Sequence, residues 1–252
     1  MEVPWDSPYQ PQTEIIIPTL RMMRINESGA VSHVLGAIHA PNLQSLNYRS
    51  PPRFRDYELN PSILMHADTR LSLVEKGAST LRRLTLEPQN LRPEDTVTCL
   101  RLANGVSHLA LRYTSFNFGA VEDDILGDDS CNLDPLTIPD NSCPSESRDV
   151  LLPKLEVLEM DGIRQFTDEG ILDLLTSRLD AARRGDVSPL RRLKLHFARH
   201  RQRNVVEEAS ERAKSAGFEL SLDLDYPPDC LPYNGRLSPS FAIPIHYPLA
   251  EE

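Results

Sequence analysis

One short pattern, L-x-x-L-x-L, returns again and again along this chain. It appears as Leu20-Met23-Ile25, Leu43-Leu46-Tyr48, Leu81-Leu84-Leu86, Val106-Leu109-Leu111, Leu155-Leu158-Met160 and Leu190-Leu193-Leu195. A degenerate seventh copy reads "GFELSLDL", with Leu220 and Leu222 in its second and third apolar places. The alternation inside each copy suits a short buried strand. Between copies the period changes to that of a helix. "GAVSHVLGAIH" offers Val31, Val34, Leu35 and Ile38 on one face, and "PSILMHADTRLSLV" offers Ile63, Leu64, Ala67, Leu71 and Val74. Pro93, Glu94 and Asp95 make a good helix start, because acids suit the positive end of the helix dipole. Thr167 is placed as the N-cap of a helix over Asp168–Arg184 that Gly185 closes, and a further helix ends on Gly217.

No single strand and helix of this kind can bury both their faces, so each unit needs neighbours like itself. Stacking them sets the strands in parallel on a concave face, with the helices returning outside. The expected fold is therefore an α/β solenoid of six to seven irregular repeats over residues 15–225. Residues 1–14 read as an irregular N-terminal segment and residues 226–252 as a Pro-rich, extended tail. A long insertion at 115–150 interrupts the repeats. It holds Glu122, Asp123, Asp124, Asp128, Asp129, Asp134, Asp140, Glu146 and Asp149 against Arg148 alone, so it carries most of the chain's net charge of −10. Such a composition reads as largely disordered.

The window Leu155–Leu175 narrows the class. The pattern L-x-x-L-x-L-x-x-C-x-x-I-T-D-x-G is met here by Leu155, Leu158, Met160, Ile163, Phe166, Thr167, Asp168 and Gly170, with Ile163 in place of the cysteine. On these residues the chain resembles the cysteine-containing leucine-rich-repeat class of fungal F-box proteins. The resemblance implies a leucine-rich-repeat solenoid that serves as the substrate receptor of a cullin ubiquitin ligase. The F-box that docks a Skp-type adaptor, opening near L-P-x-E, is not read in this sequence. The adaptor is thus a partner only if an F-box is supplied elsewhere, and a free-standing interaction scaffold is the alternative.

In such a fold the third, fifth and seventh places of each repeat form the binding face. Arg24, Arg49, Arg83 and Arg112 mark a basic stripe for an acidic or phosphorylated protein ligand. Glu159, Asp161, Arg192, Lys194 and His196 continue the face with alternating sign. They serve either a ligand of mixed charge or a ladder of exposed pairs worth roughly 0–1 kcal/mol each. Adjacent strands at about 4.8 Å would let Lys194 meet Glu159, and Arg192 meet Glu219.

Other chemistries find less support. His196, His200 and Asp161 are zinc-type ligands, but "HFARH" falls where a strand ends. The basic run "RRLKLHFARHRQR" is half repeat strand, so nucleic acid is not the expected partner. No phosphate loop, dinucleotide fingerprint or nucleophile elbow occurs, so neither a cofactor nor enzymatic activity is expected. Four irregularly spaced cysteines and the lack of a signal peptide or of a long apolar run point to the cytoplasm or nucleus, away from membranes.

Overall fold

The computed structural model describes residues 14–26, 32–49, 65–87, 93–112, 136–138, 150–163 and 166–227. Its main feature is one open sheet of seven strands: β2 (Met22–Asn26), β4 (Ser45–Arg49), β5 (Arg83–Leu86), β6 (His108–Arg112), β7 (Val157–Ile163), β8 (Arg192–Phe197) and β9 (Ser221–Asp225). They lie side by side in chain order, and every neighbouring pair is parallel. A two-stranded parallel pair, β1 (Ile15–Ile16) with β3 (Ile38–His39), sits apart from it.

Parallel neighbours need a crossover between them. Among the described residues, helices supply five of the six crossovers, all but the one from β6 to β7: α1 (Ser32–Ala37), α2 (Met65–Gly77), α3 (Pro93–Leu102), α4 (Asp168–Arg184) and α5 (Val206–Ser215). Of these, α1 packs on α2, α2 on α3, and α4 on α5. Among the described residues, no helix is long and apolar enough to cross a membrane.

The recurring leucines explain the register. Leu46, Leu84, Leu109, Leu158 and Leu193 are successive register partners, each at most 2% exposed. The preceding places, Leu43, Leu81, Val106, Leu155 and Leu190, form a second buried tier. Leu86, Leu111, Met160 and Leu195 form a third. Full burial of one such side chain contributes roughly 1.5–3 kcal/mol. The seventh copy is displaced from its expected alignment: Leu193 meets Leu222 and Leu195 meets Leu224, so its outward places are Ser221, Asp223 and Asp225. A slip of two residues keeps each side chain on its face, whereas a slip of one would reverse them all.

The cap signals of α4 hold. Thr167 accepts a hydrogen bond from the Gly170 N–H at 3.0 Å, and Gly185 closes the helix at φ 84°. Gly162, at φ 77°, lies in the bulge between Asp161 and Ile163, which returns Ile163 to the buried face opposite Phe197. The extra residue needs a left-handed backbone, and glycine adopts it without steric cost.

The acidic insertion departs from expectation in one place. Residues 113–135 and 139–149 lie outside the described residues, as do 1–13 and 228–252. Residues 136–138, however, are packed against α4. Leu136 is 2% exposed, its carbonyl accepts from Arg178 Nη1 at 3.1 Å, and the Ile138 N–H donates to Ser177 Oγ at 3.1 Å. Arg178 itself is fully buried, and also donates to the carbonyls of Leu151 and Leu152 at 3.4 and 2.7 Å. Burial draws its pKa down to about 10, yet the guanidinium stays charged at neutral pH. Three inward-facing carbonyls thus depend on one side chain. Arg178→Ala should lower stability by roughly 3 kcal/mol or more, because each orphaned group costs about 1–3 kcal/mol. Urea unfolding of the two proteins checks this.

Candidate functional site

The side chains opposite the leucine tiers stand on the second face of the sheet, in three rows. The first runs Met22, Ser45, Arg83, His108, Val157, Arg192, Ser221, each residue in register with the next. The second runs Arg24, Asn47, Thr85, Ala110, Glu159, Lys194, Asp223. The third holds Asn26 and Arg49, then Glu87 just after β5, then Arg112, Asp161, His196 and Asp225. All nine residues expected on the binding face therefore share it.

Their pairing divides them. In the third row Arg49 meets Glu87 at 3.9 Å, Arg112 meets Asp161 at 3.8 Å, and His196 Nδ1 meets Asp225 at 3.3 Å. Both arginines of this row are thus engaged within it. In the second row Lys194 turns to Asp223 at 3.9 Å, not to Glu159, which lies instead 3.5 Å from His108 Nε2. Lys194 stands between two carboxylates in one row, and His108 on the far side already engages Glu159. Arg192 aligns with Ser221, so the expected meeting with Glu219 also fails. The four-arginine stripe accordingly breaks up: Arg49 and Arg112 are engaged, while Arg24 and Arg83 remain exposed. Among the described residues, Arg24, Arg83 and Arg192 have no carboxylate partner.

The middle of the face is a buried floor. Thr85 and Ala110 are buried at 7% and 3% exposure although they point away from the leucines. Beside them Asn47 holds a buried Oδ1 without a hydrogen-bond partner. His108 sits at the edge of this floor. Burial lowers its pKa, Glu159 raises it, and the cations Arg83 and Arg192 lower it again, leaving it below the ordinary histidine value.

A second polar constellation was not foreseen. Asp168, read from sequence as the first residue of α4, is fully buried. Its Oδ1 accepts from Arg199 Nη2 at 2.6 Å and from the Tyr226 hydroxyl at 2.8 Å. Its Oδ2 accepts from the backbone N–H groups of Gln202 and Arg203 at 2.7 and 2.6 Å. Tyr226, assigned from sequence to the tail, stacks on Phe197 with ring centroids 4.5 Å apart, and the Arg199 guanidinium lies 4.5 Å from the Phe197 centroid. The signal available in the sequence was the acid at the start of α4 followed by the basic run after β8. This cluster binds the start of α4, the turn after β8 and the exit of β9 into one unit. Among the described residues, no three metal-ligating side chains converge to hold an ion.

A cavity of about 440 Å³ opens elsewhere, between Ala78, Ser79, Arg101, Asn104, Pro153 and Lys154. It lies past the C-terminal ends of α2 and α3, where the helix dipoles favour cations and Arg101 and Lys154 already supply them. The polar face of the sheet is the stronger candidate. Comparison of the chain with known protein families, with curated proteins and with solved structures finds no match.

The Asp168 cluster sets a pH response. Burial pushes the Asp168 carboxyl up, but the bonds from Arg199, Arg203, Tyr226 and Gln202 outweigh it and hold it below its usual value. A depressed carboxyl contributes stability above its unfolded pKa and loses it as pH falls through the folded one. Burial and the bond to Asp168 push the Tyr226 hydroxyl up to about 12, so its contribution is complete below pH about 10 and lost as pH rises through 12. Asp168→Asn should cost roughly 3–5 kcal/mol at neutral pH, since it strands Arg199. It should also flatten the acid limb of the stability curve. Denaturant melts from pH 3 to 8 read both effects.

Proposed function

We propose that the chain is a protein-recognition module, a leucine-rich-repeat solenoid whose polar strand face takes a protein ligand. One observation carries this reading. Seven parallel strands in chain order spend their leucines on one face and give the other, among the described residues, rows of paired and partnerless charges. A repeat stack of this kind specifies an extended surface, and an extended surface suits a segment of another protein. The in-register leucine tiers support the repeat assignment, because each of the six full copies of the pattern occupies the same place in its strand. The sequence resemblance over Leu155–Leu175 supports a narrower role, the substrate-binding part of an F-box-type ubiquitin ligase receptor.

Mass spectrometry of proteins that co-purify with the tagged chain from its own cells tests both levels. A Skp-type adaptor and a cullin caught together with a further protein assign the ligase-receptor role. The further protein alone assigns the scaffold role. A variant with Arg24→Glu on β2 and Lys194→Glu and His196→Glu on β8 should lose that protein by at least tenfold. Undiminished capture by this variant removes the strand face from the function.

A further inference from the structure

We infer that the strand face contains a site for a phosphomonoester carried by the ligand, with the guanidiniums of Arg83 and Arg192 as its arms and the His108 imidazole between them. The inference rests on the recognition role above and names the chemistry that the face takes.

The placement comes from the register. Arg83, His108, Val157 and Arg192 are consecutive partners across β5, β6, β7 and β8. Three strand spacings set the two arginine backbones about 14 Å apart. All four side chains leave the sheet on the same face, so two long, exposed arginines flank a shorter histidine and valine. The first row contains no carboxylate from one edge of the sheet to the other. The acid nearest to it, Glu159 of the second row, is turned to His108. Among the described residues, two exposed guanidinium charges therefore stand without a carboxylate partner, in a molecule whose net charge is −10.

The charge count selects the ligand. A carboxylate balances one arginine and leaves the other unmatched. A phosphomonoester carries about −1.5 to −2 at neutral pH and offers three acceptor oxygens, enough for both planar donors. A phosphorylated peptide segment is thus the occupant that the face matches.

His108 reports the event. The charged groups that face it are Arg83 from β5, Glu159 from β7 and Arg192 from β8, while Arg112 on its own strand is held by Asp161. Arg83 is the register partner of His108, and Arg192 stands two strands away from it in the same row. A dianion bound between them opposes their effect and raises the affinity of His108 for a proton. By linkage, the proton tightens the dianion in return.

The experiment uses the full chain with ¹³C-labelled histidine, titrated by NMR with a pentapeptide holding a central phosphoserine and with its serine and glutamate counterparts. The expected result is a shift of the His108 resonance by the phosphopeptide alone, a raised His108 pKa in the complex, and tighter binding at pH 6 than at pH 8. Arg83→Ala and Arg192→Ala, both at exposed positions, should each weaken binding roughly tenfold or more. Arg101→Ala, on α3, should leave it unchanged. A His108 resonance unmoved at millimolar phosphopeptide overturns the site, as does an equal response to the glutamate peptide. Binding that survives both arginine substitutions overturns it too. A single-stranded oligonucleotide that displaces the phosphopeptide at lower concentration also overturns it, in favour of backbone phosphodiesters. If the site fails while the chain still captures its cellular ligand, the recognition role stands without it.

Discussion

Leu46, Leu84, Leu109, Leu158 and Leu193 stand side by side across five strands, and the rest of the structure depends on keeping that row dry. A parallel strand cannot turn directly back to its neighbour, so each crossover must travel over one face of the sheet. The leucines fix which face. Once the helices cover it, the backbone register is set, and with it the position of every alternate side chain on the other side. The polar rows are in that sense a by-product of apolar packing. Their order is inherited from the leucines, and their chemistry is left free to vary.

That freedom is used unevenly. The third row closes its charges into local pairs, and the second row does so at its C-terminal end. The first row does not. The two edges of the sheet differ as well. Asp223 and Asp225 put carboxylates on β9, a charge that discourages pairing with another strand. Near β2 the apolar side chains of Ile15, Ile16 and Met22 are exposed instead, at 46%, 61% and 69%.

Much of the fold was legible because its signals are local. L-x-x-L-x-L marks a strand within six residues, and Thr167 with Gly185 brackets α4 without reference to anything outside it. The last strand was read two residues out of place because Leu220, Leu222 and Leu224 alternate evenly and allow two alignments. None of the three is fully buried, so the sequence there specifies register weakly. Arg178 was legible and passed over: it falls on the same helical stripe as Ile171, Leu174 and Leu175, the position where a charge must find internal partners. The face was legible row by row, but the choices made within it were not. Whether Lys194 turns to Glu159 or to Asp223 is decided by competition among groups on three strands, which no spacing rule contains. The role of Asp168 was hidden for a similar reason, since its partners Arg199 and Tyr226 lie 31 and 58 residues further on.

The Asp168 carboxylate also changes how the molecule comes apart. In a sheet ordered like the chain, each strand touches only its two neighbours, and such a stack ordinarily frays one layer at a time from its ends. Asp168 reaches past its nearest neighbour, tying the helix that follows β7 to the turn after β8 and to the residue after β9. Releasing β9 means breaking the Tyr226 bond and the ring stack, and that exposes the carboxylate on which the Gln202–Arg203 turn is built. The C-terminal three strands therefore form one cooperative block. Its boundary lies where the chain enters β7, beside the acidic segment.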